Sequence, residues 1–191
     1  MSNVKHSTKL KSFVIILKMG CIRMRLKKVF LMSGPPASGK SSWIRKNLTP
    51  GCEWISRDNV RFAIISDDED YFSHEDEVFD TFINYINQTL ENPDIHTIFI
   101  DATHLNRKSR NKTLSRVSRK NIEELNCVCF TTPLAECLAR NNLRSGRERV
   151  PQTAIENMFR ACGAPVAAEG FNHVYAVDKD GNMKEVSIKN E

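Results

Sequence analysis

Long apolar runs are missing from this sequence: no stretch of eighteen apolar residues occurs, so no segment is long enough to cross a membrane as a helix. Cys-x-x-Cys pairs are missing as well, and no histidine stands near the six cysteines in a metal-binding spacing, which argues against a zinc site. Cys127 and Cys129 alternate within an apolar run, as residues on one face of a buried strand do. We therefore expect a reduced, cytoplasmic protein without a membrane partner.

Acidic residues are missing from the first 52 positions, and the first one is Glu53. Eight of the 28 Lys and Arg residues lie in residues 1–28, so the 23 acidic residues slightly outnumber the bases beyond that point. The net charge beyond residue 28 therefore does not indicate a general polyanion binder. We interpret residues 1–23 as a dispensable basic extension and residues 24–191 as one domain; a targeting segment and an accessory element are the alternatives for residues 1–23.

Apolar runs and helically spaced apolar residues alternate along the rest of the chain. Strands are expected at residues 29–32, 53–56, 95–100, 125–131, 174–177 and 185–188, and helices at residues 41–48, 74–90, 106–120, 133–143 and from Pro151 onward. This alternation predicts an α/β fold with a mostly parallel sheet covered by helices on both faces.

Residues 34–41 read GPPASGKS, which fits the GxxxxGK[ST] pattern of a P-loop. Glycines let backbone N–H groups wrap a phosphate chain, Lys40 reaches the β- and γ-phosphates, and the Ser41 hydroxyl binds Mg²⁺. ATP and Mg²⁺ are therefore the predicted cofactors, in a P-loop NTPase fold of the kinase type. The predicted nucleotide contacts are Gly34, Pro35, Ala37, Ser38, Gly39, Lys40, Ser41 and Ser42.

Polar residues follow two of the predicted strands. Asp101 ends the third strand, where an acid often helps to hold Mg²⁺, although it could instead cap the next turn. Thr103 and His104 follow it and could touch a substrate. Asp58 and Arg61 follow the second strand, and in a helix residues three apart share a face. They suit a general base and a phosphate clamp, unless Asp58 only caps the helix.

Arginines crowd residues 140–149, which contain Arg140, Arg144, Arg147 and Arg149 around Gly146. We interpret this segment as an arginine-rich lid over phosphates; cations that favour a helix C-terminus are the alternative. A second basic run, at residues 107–120, has no acid. It is either a solvated helix face or a nucleic-acid face.

These motifs together resemble the kinase domain of bacteriophage polynucleotide 5′-hydroxyl kinase, over about residues 27–177. The likeness rests on the P-loop, on SRDNVR at residues 56–61, on DATHLN at residues 101–106, on RNNLR at residues 140–144 and on EGF at residues 169–171. The resemblance implies a sheet with the third strand between the first and the second.

The resemblance also implies roles for individual residues. Lys40 and Ser41 serve ATP and Mg²⁺, and Asp101 organises the site. Asp58 is the general base for the acceptor hydroxyl, and Arg61 holds the acceptor's phosphate. Two lid residues, Arg140 and Arg144, clamp the donor phosphates, and Arg144 is counted with Lys40 and Asp58 as catalytic.

We therefore expect an ATP- and Mg²⁺-dependent phosphotransferase that acts on a hydroxyl, with the 5′-hydroxyl end of DNA or RNA as the first candidate acceptor. A kinase of the same fold that acts on a small, nucleoside-like molecule is the second hypothesis. A nucleotide-hydrolysing switch is the third, although a switch has no need of the acceptor residues Asp58 and Arg61.

Overall fold

Six strands form a single sheet in a computed structural model that describes residues 26–66, 68–188 and 190. They are β1 (Lys27–Ser33), β2 (Cys52–Ser56), β3 (Thr97–Asp101), β4 (Ile122–Phe130), β5 (His173–Val177) and β6 (Met183–Val186). The order across the sheet is β2-β3-β1-β4-β5-β6, and only the last pairing is antiparallel. The prediction of a mostly parallel sheet with the third strand between the first two is confirmed.

Helices connect the strands. They are α1 (Lys40–Asn47), α2 (Arg57–Ile64), α3 (Glu75–Glu91), α4 (Arg107–Leu114), α5 (Leu134–Asn142) and α6 (Gln152–Arg160), with short 3₁₀ turns at Gly146–Glu148 and Ala167–Glu169. The prediction that α4 runs to residue 120 is wrong. The chain leaves the helix at Leu114 through a tighter turn, in which the Arg116 N–H bonds to the Thr113 carbonyl at 3.1 Å, and this turn brings Val117 into the core.

Apolar clusters cover both faces of the sheet, as the continuous apolar strands predict. On one face, the aromatic and aliphatic residues of α3, including Phe82, Ile83 and Ile86, pack with strand residues that include Val29, Leu31 and Ile98. On the other face, Trp43 and Ile44 of α1 pack with Met32, Phe99, Val128 and Phe130. Together the clusters fix the central strands, whose carboxyl ends carry the polar residues singled out above.

No helix within the described ranges combines the length and the apolar character needed to cross a membrane. The basic extension predicted at residues 1–23 lies outside the described residues.

Arg110 of α4 is fully buried and forms an ion pair with the equally buried Glu169. Its guanidinium donates to both carboxylate oxygens of Glu169, at 2.7 and 2.8 Å, and to the Gly163 carbonyl at 2.8 Å. The interpretation of the whole basic run at residues 107–120 as a solvated or nucleic-acid-binding face is therefore wrong for Arg110. This residue joins α4 to the segment that precedes β5.

Removing one member of this pair should be costly, because it leaves the other charge buried. We expect Glu169→Ala to lower the free energy of unfolding by about 3–5 kcal/mol, as measured by urea denaturation. The exposed pair of Arg116 and Asp80 is the matched control, and Asp80→Ala should cost less than about 1 kcal/mol. Equal losses in the two variants would contradict the role given to burial.

Candidate active site

A cleft of about 1060 Å³ opens at the carboxyl ends of β1, β2 and β3. In parallel α/β sheets this edge is where ligands bind. Most of the predicted site residues line the cleft, among them Ala37, Ser38, Gly39, Lys40, Ser41, Ser42, Asp58, Arg61, Asp101, Thr103, Arg140 and Arg144. Gly34 and Pro35 contribute through their carbonyl groups, which bind Lys40.

The loop between β1 and α1 is tightly folded and uses backbone conformations that side chains oppose. Gly39 has φ +103°, in the left-handed region that favours glycine, and Ala37 has φ +60° in the same region. A Cβ atom at Gly34 would lie 2.9 Å from the Ser38 hydroxyl. This strained loop leads directly into the first turn of α1, where backbone N–H groups are available to an anion.

Lys40 begins α1 and is buried under the loop. Its amine donates to the Gly34 carbonyl at 2.9 Å and to the Pro35 carbonyl at 2.8 Å. Burial lowers the pKa of Lys40, and the nearby Asp101 carboxylate opposes part of that effect. The amine is therefore already held against the loop that is predicted to bind phosphate.

Ser41 and Asp101 meet at the base of the cleft. The Ser41 hydroxyl donates to Asp101 Oδ2 at 3.1 Å, and the Trp54 indole N–H donates to the same oxygen at 3.1 Å. Burial raises the pKa of Asp101, so a cation beside this carboxylate would be favourable.

These groups fit a magnesium ion. A hydroxyl and a carboxylate are hard oxygen ligands, and Mg²⁺ usually takes one or two such protein ligands beside phosphate and water. Within the described ranges no group of three or more His, Cys, Asp or Glu residues could hold a metal ion. Ser41 and Asp101 therefore suit a Mg²⁺ ion that arrives with a nucleotide better than a metal bound by protein alone.

Asp58 lies in the first turn of α2, directly after β2. Ser56, not Asp58, is the helix cap, since its hydroxyl accepts from the Asn59 N–H at 3.3 Å. The Asp58 side chain is 65% exposed in the cleft, and its Oδ1 atom accepts from the Arg61 guanidinium at 2.9 Å. Its Oδ2 atom has no hydrogen-bond partner among the described residues.

Arg61 is held from several sides by groups that the sequence analysis missed. It donates to the Tyr71 hydroxyl at 3.0 Å and to Glu75 at 2.6 Å, and its guanidinium carbon lies 4.4 Å from the centre of the Tyr71 ring. Tyr71 donates in turn to Asp58 at 2.9 Å. Burial raises the pKa of Tyr71 to about 12, so its hydroxyl stays a donor. Glu75 also pairs with Arg57.

The four arginines of the lid, residues 140–149, all line the cleft. Arg140 donates to Glu136 at 2.7 Å and to the Lys179 carbonyl at 2.8 Å, and Arg144 reaches the Glu148 carbonyl at 3.4 Å. The lid also contacts α2, because the Arg147 guanidinium lies 4.9 Å from the centre of the Phe62 ring.

Thr103 lines the cleft, and its carbonyl accepts from the Gly34 N–H at 2.8 Å. His104 does not line the cleft: it is buried, its Nδ1 atom lies 2.9 Å from the Met32 carbonyl, and its Nε2 atom lies 3.0 Å from the Thr113 hydroxyl. Burial lowers the pKa of His104 to about 4. This residue joins the loop after β3 to β1 and α4, and it does not face the position of a substrate.

Because the pKa of His104 is lowered in the folded chain, we expect the stability of the fold to decrease at acid pH. The pKa of His104 is 6.5 in the unfolded chain and about 4 in the folded chain. Between pH 6.5 and 4 the unfolded chain therefore binds a proton that the folded chain does not bind. Stability should therefore be full above pH 6.5 and fall by about 3 kcal/mol between pH 6.5 and 4. His104→Gln should lack this component when urea denaturation is compared across that range. Parallel pH profiles for the two proteins would contradict it.

The sequence matches the model of a family described as an AAA domain over residues 29–165, well over half of the chain. No protein with a curated description matches it.

Similar solved structures include P-loop kinases. A chain of the Pnkp1/Rnl/Hen1 RNA repair complex superimposes with a TM-score of 0.60 and 20% identity, over 72% of this chain and 44% of that chain. A fungal RNA kinase gives a TM-score of 0.56 and 14% identity, over 87% and 78%. A sugar kinase from Janibacter sp. HTCC2649 gives a TM-score of 0.54 and 12% identity, over 82% and 87%. This chain thus spans less than half of the RNA repair protein, and these likenesses show the fold alone. The fold is that of a P-loop kinase, which implies nucleotide binding.

Proposed function

The chain belongs to the AAA domain family, and on that premise we propose that it is an ATP- and Mg²⁺-dependent kinase that phosphorylates the 5′-hydroxyl end of DNA or RNA. The observation that carries the proposal is the pairing of Asp58 with Arg61 at 2.9 Å in the same cleft as the P-loop. A carboxylate for a hydroxyl proton and a guanidinium for a phosphate form an acceptor site, which a nucleotide switch does not need.

On the donor side, the residues of this chain bind and neutralise phosphate. The loop N–H groups and the Lys40 amine face the donor phosphates, and the lid arginines Arg140 and Arg144 close over them. Transfer passes through a transition state with charge on the phosphoryl oxygens, so fixed cations contribute most of the catalysis. When bound, Mg²⁺ would be held by Ser41 and Asp101 and would neutralise part of the phosphate charge.

On the acceptor side, Asp58 Oδ2 accepts the proton of the 5′-hydroxyl. The hydroxyl oxygen then bonds to the γ-phosphorus, the bond between the γ-phosphorus and the β,γ-bridging oxygen breaks, and ADP leaves. The contacts of Arg61 and Tyr71 to Oδ1 hold the carboxylate in place and leave Oδ2 for the acceptor. Arg61 binds the next phosphate of the acceptor strand, and Thr103, which also lines the cleft, contacts the acceptor. The RNA repair complex and the fungal RNA kinase support a nucleic acid in this role.

One observation favours the small-molecule alternative. Glu75 and Asp58 both pair with Arg61, so two carboxylates surround the guanidinium in this structure. A neutralised guanidinium would bind an acceptor phosphate less strongly and would tolerate a neutral acceptor. The similarity to a sugar kinase in fold is consistent with that alternative.

Labelled ATP offered to a panel of acceptors tests the proposal. The panel contains 5′-hydroxyl DNA, 5′-hydroxyl RNA, nucleosides, a sugar and water alone. We expect transfer to one or both nucleic acids. Transfer to a nucleoside or sugar alone would favour the small-molecule kinase, and phosphate release without any acceptor would favour a switch.

We also propose that the domain begins near residue 24, because β1 starts at Lys27. This residue is fully buried, and its amine donates to the carbonyls of Asn92 and Ile95. A chain that starts at Met24 should keep the melting temperature and the kcat of the full chain. Loss of either would show that residues 1–23 contribute to the fold or to the site.

A further inference from the structure

The cleft extends from the P-loop to strand β2, whose Trp54 lines it. β2 is an edge strand of the sheet, and among residues 26–66, 68–188 and 190 no further strand closes the cleft there. Arg140, a proposed donor contact, binds the Lys179 carbonyl just after β5, on the other side of the central strand β1. For an acceptor with more than one nucleotide held at Asp58, the β2 side is the exit that lies away from this donor contact.

Arg45 and Trp54 form a wall of the cleft on that side. The guanidinium carbon of Arg45 lies 5.3 Å from the centre of the Trp54 ring, and the Trp54 indole N–H is bound to Asp101. Arg45 stands one helical turn after Ser41, on the same face of α1. The wall thus begins at the proposed metal site and leads outward.

Arg45 is exposed, and the described residues give it no ion pair or hydrogen bond, only its contact with Trp54. The other arginines that line this cleft have a carboxylate, a backbone carbonyl or, for Arg149, the amide oxygen of Asn142 as a partner. A guanidinium supported by an indole offers a charge for a phosphate and a flat face for a base, which is how single strands are bound without sequence preference.

We propose that Arg45 forms a subsite for the acceptor strand beyond its 5′-terminal nucleotide, and that Trp54 positions its guanidinium. This inference rests on the proposed function and makes an oligonucleotide the acceptor, because the subsite holds a second nucleotide, which a nucleoside or a sugar does not have.

The test is the ratio of kcat/KM for a 5′-hydroxyl tetranucleotide to kcat/KM for a nucleoside 3′-monophosphate with the same first base. We expect Arg45→Gln to lower this ratio about tenfold, as one phosphate contact and one stacked base are lost. The salt dependence of tetranucleotide binding should also become shallower, by about 0.7 in the log–log slope for one phosphate contact. The matched control is Arg160→Gln, an exposed arginine outside the cleft, which should keep the wild-type ratio.

Trp54 requires a second pair of variants, because its indole N–H also binds Asp101. Trp54→Phe keeps an aromatic ring beneath Arg45 and loses the N–H and one of the two fused rings, so most of the ratio should be kept. Trp54→Leu loses the ring, so the ratio should fall as in Arg45→Gln. An equal ratio in all three variants and the wild type would mean that these residues only support the fold.

The outcomes separate the subsite from the proposed function. If the wild type phosphorylates both acceptors and Arg45→Gln has the same ratio as the wild type, the subsite is overturned and the proposed function still stands. A ratio that falls in Lys108→Gln but not in Arg45→Gln would place the strand on α4 and also overturn the subsite. An enzyme that phosphorylates neither acceptor overturns both.

Discussion

Replacing Lys40 with methionine is expected to lower phosphoryl transfer by about 10²–10³-fold, the usual cost of removing one fixed charge that stabilises a transition state. The methionine side chain keeps the stem of the lysine and removes only the amine. Because the amine is buried, the variant loses the cost of burying a charge together with the bonds to Gly34 and Pro35. The melting temperature should therefore hold or rise while kcat falls.

The matched control is Lys184→Met, which removes an exposed lysine from β6, outside the cleft. Its kcat should stay within about twofold of the wild-type value, since substitutions of exposed residues away from the core and the site have small effects. A folded Lys40→Met enzyme with normal kcat would refute the nucleotide site at residues 34–41. A Lys40→Met chain that fails to fold would show that the amine supports the loop itself, and Lys40→Arg would then test whether a charge restores transfer.

Local signals in the sequence predicted the sheet and the P-loop well. Alternating apolar runs located all six strands to within three residues. The largest difference is at the start of β4, expected at residue 125 and found at Ile122, and the last strand, expected at residues 185–188, lies at Met183–Val186. The sheet order came from the family resemblance, because spacing along a chain does not state which strands are neighbours.

Pairings between distant residues were beyond these signals. Arg110 lies in a run of bases that is typical of a solvated helix, and its buried partner Glu169 is 59 residues away. Burial of both groups follows from packing in three dimensions, which a basic run does not reveal. The acidic start of α3, at residues 75–77, is common at helix N-termini, so nothing marked Glu75 as a partner of Arg61.

The buried position of His104 was beyond these signals for a related reason. Its sequence position beside Thr103 and after Asp101 favours a site residue, yet its backbone has a φ of +39° and its ring contacts Met32 and Thr113. A backbone conformation of this kind is rare outside glycine, and no pattern in the sequence announces it.

Replacing Asp58 with asparagine is expected to lower kcat by about 10²–10⁴-fold, the usual contribution of a positioned general base. Asparagine keeps the size and can still accept a hydrogen bond from Arg61, but it cannot take the hydroxyl proton. Stability should hardly change, because Ser56 and not Asp58 caps α2 and the side chain is 65% exposed. Affinity for ATP should also be kept, since Asp58 is not proposed to touch the donor.

Two comparisons separate a base from a residue that merely positions Arg61. Because a base acts on the hydroxyl alone, the loss of kcat in Asp58→Asn should be the same for an acceptor with a phosphate beside the reacting sugar and for a bare nucleoside. Arg61→Gln should instead raise the acceptor's KM, more for an acceptor with a phosphate beside the reacting sugar than for a bare nucleoside. Asp80→Asn, an exposed carboxylate on α3, should leave both parameters at the wild-type values. If Asp58→Asn retained the wild-type kcat, another group would be accepting the proton, and the hydroxyl-kinase proposal would lose the residue on which it depends.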